Sequence, residues 1–194
     1  MLTRGLELCQ TSHILLLFPL VASDLGAACA LAGRIAEALP LLEQAIEQGT
    51  ALGRNRVWLP YWRLHLGEGC LLAGRIEKAM LEAQRVLTLA RGSKQRGMEA
   101  WSLRLLGKIV AQQEPPAVEL AEAHYRQAMA IANELQMRPL LAHCYFGLGT
   151  LYAKHGRREE ARVVLSDAIA LYRAMEMTFW LSPAEAALTE VASR

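Results

Sequence analysis

The sequence predicts an all-α protein, built as a solenoid of four long helical hairpins plus terminal helices. Three observations support this: a repeat of about 41 residues, a composition rich in helix formers, and small residues at fixed places in each repeat. Ala, Leu, Glu, Arg and Gln dominate the 194 residues, whereas aspartate occurs only twice. A unit that recurs at such a period is a supersecondary module that stacks on copies of itself.

Two markers define the repeat. The first is a Leu-Gly dipeptide, whose glycines are spaced by 41, 40 and 42 residues, and the second is an alanine with spacings of 41, 42 and 40. The dipeptides are Leu25-Gly26, Leu66-Gly67, Leu106-Gly107 and Leu148-Gly149, and the alanines are Ala38, Ala79, Ala121 and Ala161. Because both markers keep one period, chance similarity is a poor explanation.

Apolar residues recurring at i, i+3, i+4 and i+7 divide each unit into an A helix and a B helix of about 15 to 18 residues. We expect a single domain over residues 1–194. It comprises a residual helix of a preceding repeat (1–12), repeats at 16–53, 56–92, 96–136 and 138–176, and a capping helix (178–193). The first of these segments reads as the end of a B helix whose A helix is missing, so we expect the chain to begin inside a longer array.

Glycines have two predicted roles. A glycine in mid-helix costs about 1 kcal/mol relative to alanine, so its recurrence in the A helices indicates that the B helix approaches too closely for a side chain. Gly33, Gly74 and Gly156 each precede an arginine and suit the left-handed conformation that ends a helix. In the capping helix, Pro183 is expected in an early turn, where proline is tolerated.

Composition excludes several classes of protein. A net charge of +2 with interspersed signs predicts no broad cationic field and no nucleic-acid partner. No apolar stretch approaches the roughly 20 residues of a membrane span, so no membrane partner is expected. Glu7 and Pro19 argue against a secretion signal at the N-terminus. The four cysteines form no C-x-x-C pair, and Cys29 and Cys70 share one repeat position, which favours packing residues in a reducing, cytoplasmic compartment.

The marker residues resemble those of the tetratricopeptide repeat over residues 16–176, most clearly in the fourth unit with Leu148-Gly149, Tyr152, Gly156 and Ala161. The resemblance implies a right-handed α-α superhelix. The unit is longer than the usual 34 residues. Strings such as Glu99 to Gly107 are similar to the C-terminal array of multidomain bacterial adenylate/guanylate cyclase-like signalling proteins, which implies a regulatory or sensor appendage and carries over no catalytic residue.

The sequence lacks a phosphate-binding G-x-x-x-x-G-K-[ST] loop, an H-E-x-x-H pair and a G-x-S-x-G elbow. We therefore expect no enzyme activity, no cofactor and no metal. The remaining candidate is a groove lined by the A helices. By the resemblance, its partner-binding positions are Tyr61, Leu64, Glu68, Trp101, Arg104, Lys108, His143, Phe146, Thr150 and Lys154.

Two functions remain open at this stage. Aromatic anchors and the cations Arg104, Lys108 and Lys154 would suit a protein or peptide partner of acidic character, which makes the chain a scaffold. Alternatively, the groove binds a metabolite as a small-ligand-sensing module. A third interpretation is purely structural, with the aromatics packing between helices and the charges solvated. We expect a monomer, or a weak homo-dimer through exposed repeat ends.

Overall fold

The computed structural model describes residues 1–12, 14–53, 57–115 and 117–193. Over these ranges it contains ten α-helices and no strand, which confirms the all-α class. The helices are α1 (Leu2–Thr11), α2 (Phe18–Leu31), α3 (Ile35–Ala51), α4 (Leu59–Leu72), α5 (Ile76–Gly92), α6 (Arg96–Val110), α7 (Val118–Glu134), α8 (Arg138–Lys154), α9 (Arg158–Ala174) and α10 (Thr178–Ser193).

Helices α2 to α9 form the four predicted hairpins, with α2, α4, α6 and α8 as A helices and α3, α5, α7 and α9 as B helices. The predicted start of the second repeat at residue 56 lies outside the described residues. The chain divides into two compact units, Met1–Leu105 (the first unit) and Leu106–Arg194 (the second unit). The boundary falls inside α6, and the units are described separately below.

In the first unit, the mid-helix glycines lie at close helix contacts. A Cβ built on Gly26 would be 2.7 Å from Cγ of Leu42 on α3, which confirms the predicted approach of the B helix. A Cβ on Gly67 would be 3.0 Å from Cδ2 of Leu105, a residue of α6 and not of the B helix. The difference has a simple cause: Ala83 stands on α5 where α3 has Leu42, so the longer Leu105 fills the space.

The second unit repeats this packing with larger side chains. A Cβ on Gly107 would lie 3.1 Å from Cδ2 of Tyr125, and one on Gly149 would lie 2.5 Å from Cγ of Leu165. Both neighbours are on the following B helix, as the sequence predicts. The four marker alanines are fully buried: Ala38, Ala79, Ala121 and Ala161.

In the first, second and fourth hairpins the turn adopts the predicted left-handed conformation, with φ of 77°, 72° and 73° at Gly33, Gly74 and Gly156. After each glycine, the arginine N–H donates to a carbonyl five residues earlier, as in Arg34 to Cys29 at 2.9 Å. The turns after α5, α7 and α9 use the same hydrogen bond without glycine, whereas the turn after α3 has Gly53 with φ of 69°. In the three turns without glycine, the left-handed residues are Lys94, Gln136 and Glu176, with φ of 57°, 55° and 55°.

The terminal helices pack onto the hairpins beside them. In the first unit, Cys9 of α1 is buried in a cluster with Phe18 and Ala22 of α2. In the second unit, Ala184 of α10 is buried beside Ile169 and Tyr172 of α9. Pro183 lies inside α10, in the second turn of the helix, which begins at Thr178. The Phe179 carbonyl consequently lacks the N–H that would normally bond to it.

All four cysteines are buried and outside any disulfide: Cys9, Cys29, Cys70 and Cys144. This agrees with the packing role expected for the equivalent pair, Cys29 and Cys70. Burial raises the pKa of the Cys70 thiol. Among the described residues, none of the helices combines the length and apolarity required to traverse a bilayer.

Candidate functional site

The most developed polar cluster of the first unit joins three successive A helices. We call it the A-helix network and define it as Ser23 and Asp24 of α2, Tyr61, His65 and Glu68 of α4, and Trp101 and Arg104 of α6. Four of these seven belong to the groove predicted from the sequence: Tyr61, Glu68, Trp101 and Arg104.

The contact between α2 and α4 is made by two side-chain hydrogen bonds. The Tyr61 hydroxyl donates to Asp24 Oδ1 at 2.6 Å, and Ser23 Oγ lies 2.9 Å from His65 Nδ1. Burial, reinforced by the hydrogen bond to Asp24, raises the pKa of Tyr61. The two rings lie close, with 4.3 Å between the centroids of Tyr61 and His65. Burial lowers the pKa of His65 against the opposing pull of Glu68 and Asp24, so this histidine is neutral at pH 7.

Arg104 forms the contact between α4 and α6. Its guanidinium pairs with Glu68 and lies 5.1 Å from the centroid of the Trp101 ring. Only 9% of the residue is exposed, and its Nε has no hydrogen-bond partner among the described residues. The same repeat position holds Leu64 on α4, which is 5% exposed, and Phe146 on α8. A charged group therefore occupies a position that is apolar in two other repeats.

The charge of the A-helix network differs from the cationic groove that the sequence suggested. It contains two carboxylates, Asp24 and Glu68, and one cation, Arg104, so its net charge is −1 with His65 neutral. Glu68 already neutralises Arg104. Leu64, another predicted groove residue, is buried in the core of the first unit.

In the second unit, two predicted groove residues pack toward the capping helix. His143 Nδ1 lies 2.7 Å from the Tyr172 hydroxyl, and its ring centroid is 4.8 Å from that of Trp180 on α10. Phe146 is partly buried against the apolar cluster that includes Ala184 of α10. These contacts agree with the packing interpretation that the sequence left open for the aromatic residues.

The other predicted residues of the second unit lie nearer solvent. Lys108 is partly buried on α6. Thr150 and Lys154 line a partly open cavity of about 200 Å³ between α8, the start of α9 and α10. Its remaining lining residues are Ala153, Arg158, Ala187, Glu190 and Val191. Neither Lys154 nor Arg158 has a side-chain ion pair in the part of the chain that the structure describes.

Sequence reasoning missed three members of the A-helix network: Ser23, Asp24 and His65. The sequence feature that could have found them is the spacing between polar residues of successive repeats. Asp24 and Tyr61 are 37 residues apart, about one period less one helical turn, so they meet across neighbouring A helices. A search for polar pairs at this offset would have found the contact. Within the described residues, no group of three His, Cys, Asp or Glu side chains is arranged to hold a metal.

Two models of the tetratricopeptide repeat match the sequence, one over residues 117–174 and the other over residues 19–44. Tetratricopeptide repeats are thus found in these two segments, which together cover less than half of the chain. The first match covers the predicted third and fourth repeats from α7 onward, and the second covers much of the first repeat. A comparison with curated proteins found no match.

Solved structures with a similar fold include three helical proteins. Aspartyl phosphate phosphatase F from Bacillus subtilis is 18% identical with a TM-score of 0.69, over 86% of this chain and 43% of that one. A Rap protein complexed with Competence and Sporulation Factor is 16% identical with a TM-score of 0.73, over 88% and 50%. A putative kinesin light chain from Podosopora anserina, described as having TPR-like repeats, is 18% identical with a TM-score of 0.60, over 89% and 92%.

These likenesses establish the fold as a TPR-like helical solenoid. The chain spans half or less of the length of the first two proteins, at 43% and 50%, and most of the third. At such low sequence identity, fold alone is transferred, and function has to be argued from the residues of this chain.

Proposed function

We propose that this chain is a non-catalytic protein- or peptide-binding scaffold and that the A-helix network is its binding surface. The observation that carries the proposal is the continuity of this network across α2, α4 and α6. A row of polar and aromatic groups over three helices suits an extended partner better than a compact metabolite. The tetratricopeptide repeats support a scaffold, as does the similar Rap protein, which was solved in complex with a factor.

The network is also well ordered for binding. Tyr61 and His65 are held by hydrogen bonds to α2, and Arg104 is held between Glu68 and the Trp101 ring. Trp58, 40% exposed, lies edge-on to Tyr61 with 6.2 Å between ring centroids. Aromatic side chains fixed in this way lose little conformational entropy on binding, which makes them good anchors.

A selection from a random peptide library, followed by titration of the selected peptides, tests the proposal. We expect binders whose affinity falls about tenfold or more when Trp101→Ala removes the ring. The matched control is Phe179→Ala, which removes an aromatic ring that is 62% exposed on α10. Failure to select any binder, or equal losses in the two variants, would refute the proposed surface.

A second candidate, the small-ligand-sensing module, is favoured by the cavity of about 200 Å³ lined by Lys154 and Arg158. Two unpaired cations beside the apolar Ala153 and Val191 suit a small organic anion. A thermal-shift screen of metabolites tests this. Stabilisation by a carboxylate or phosphate compound that disappears in Lys154→Ala would support sensing, and the absence of any hit would exclude it at the concentrations screened.

We propose further that the chain is the regulatory or sensor appendage of a larger bacterial signalling protein in the cytoplasm, with no nucleic-acid or membrane partner. The support is the resemblance of its repeats to the C-terminal array of cyclase-like proteins. Immunoblotting of the source cells should then detect a product much larger than 21.4 kDa. Sedimentation of the isolated chain should show a monomer or a weak homo-dimer. A native product of 21.4 kDa would contradict the appendage role.

A further inference from the structure

We infer that the A-helix network binds a cationic segment, a stretch of partner peptide rich in lysine or arginine, with Asp24 as the charge that selects it. This inference rests on the proposed scaffold function and gives the chemistry of its partner. It reverses the acidic partner that the sequence alone suggested for this groove.

Asp24 is the first support. It is a partly buried carboxylate whose hydrogen-bond partner is the neutral hydroxyl of Tyr61, and in the described residues it forms no ion pair. The nearby histidine, His65, is kept neutral by burial. A carboxylate without a counter-charge at a helix contact attracts a cation, because the surrounding protein screens the charge less well than water does.

The aromatic rings are the second support. Tyr61 lies directly beside Asp24, and Trp58 is edge-on to Tyr61. Ammonium and guanidinium groups are attracted to the faces of such rings. The network already contains one example, since the guanidinium of Arg104 lies 5.1 Å from the Trp101 centroid.

An anionic partner fits the same surface poorly. The one cation of the network, Arg104, is 9% exposed and already paired with Glu68. An incoming carboxylate would have to displace Glu68 and would also face the uncompensated charge of Asp24. Like charges brought together across an interface oppose binding.

The test is a titration of the full chain with three fluorescein-labelled nonapeptides of alternating sequence: Lys-Ala, Glu-Ala and Ser-Ala. We expect the Lys-Ala peptide to bind about tenfold or more tightly than the other two, and more weakly as salt is raised. Asp24→Asn should weaken this binding about tenfold, because it removes the charge while retaining an acceptor for Tyr61. The control is Asp167→Asn, which changes the other aspartate of the chain, an exposed residue of α9, and should alter affinity less than about twofold.

Circular dichroism on both variants establishes that they are folded before the affinities are compared. Preference for the Glu-Ala peptide, or equal effects of the two substitutions, would overturn the inference. If no charged peptide binds but library-selected peptides still bind through Trp101, the scaffold function stands and the cationic partner is refuted. If library selection also yields nothing, both fail.

Discussion

At the scale of single residues, the recurring glycines of the A helices are explained by close packing in the structure. Each lies where a neighbouring side chain occupies the space that a Cβ would need, and the neighbour is Leu42, Leu105, Tyr125 or Leu165. The sequence predicted the close approach but not the neighbour in the second repeat. That neighbour is set by Ala83, a small residue whose missing volume is filled from the next hairpin.

Gly149→Ala should destabilise the protein by about 2 kcal/mol, because the new Cβ would lie 2.5 Å from Leu165 Cγ in a closed helix contact. Urea unfolding measures the loss. The matched control is Gly92→Ala in α5, where a Cβ meets no other described residue within 4 Å. That change should be neutral or stabilising by up to about 1 kcal/mol. Equal stability of the two variants would mean that the α8–α9 contact is wrong.

His65 gives a second prediction at this scale, on pH. Because burial lowers its pKa in the folded protein, the unfolded chain takes up this proton first as pH falls. The free energy of unfolding should therefore decrease as pH drops below about 6.5, the value for an unperturbed histidine. His124, whose pKa is also lowered by burial, adds to the slope in the same direction.

His65→Gln should reduce that slope while retaining a side-chain partner for Ser23, and chemical denaturation between pH 5 and pH 7.5 measures it. His155→Gln, at an exposed position after α8, is the control. Acidic residues facing His65 are Asp24 and Glu68, and the hydroxyl of Tyr61 lies nearby. An unchanged slope in the His65 variant would show that this histidine does not titrate as described.

At the scale of elements, most turns within and between hairpins share a hydrogen bond from an N–H to the carbonyl five residues earlier. The two kinds of turn differ in how well the sequence predicts their conformation. Within hairpins, a glycine marks the residue with left-handed conformation, at Gly33, Gly74 and Gly156. After α5, α7 and α9 the position carries a side chain, such as that of Gln136, which can adopt φ of 55° only at some cost, whereas after α3 the residue with positive φ is Gly53. At those three turns no residue type signals that conformation, so the turns could be placed from the sequence but their geometry could not.

Substitutions at the two kinds of turn should therefore change the stability of the protein in opposite directions. Gln136→Gly should stabilise the protein by up to about 1 kcal/mol, because glycine adopts a left-handed conformation without strain. Gly74→Ala should destabilise it by about 1 kcal/mol, because alanine would have to take a φ of 72°. Thermal unfolding of both variants measures the effects. A loss of stability in Gln136→Gly would indicate that its side chain contributes more than the strain costs.

At the scale of the whole molecule, the sequence predicted the all-α class and the helical hairpins, because both rest on local periodicity. The candidate site could be predicted from the sequence only in part. Tyr61, Glu68, Trp101 and Arg104 do contact the same network, but its members from α2 and its net negative charge depend on which residues face each other across helices. Pairing of that kind is tertiary information that a single repeat does not contain.

The repeat architecture predicts how far the destabilising effect of a substitution extends along the chain. In an array whose modules contact mainly their neighbours, destabilisation is felt most strongly near the altered module. Hydrogen exchange of Gly149→Ala should therefore rise markedly in α8 and α9 and much less in α2 and α3. The parent protein provides the reference rates. A uniform increase over all helices would show that the chain unfolds as a single cooperative body.

The rate at which the buried thiols become reactive measures such local opening of the chain. Cys9, Cys29, Cys70 and Cys144 lie on four different helices, α1, α2, α4 and α8, and each is shielded from reagents while its helix remains packed. Alkylation by iodoacetamide, followed by peptide mass mapping, would time the exposure of each helix separately without a single added label. The order in which the four sites are modified would reveal where along the array the protein first comes apart.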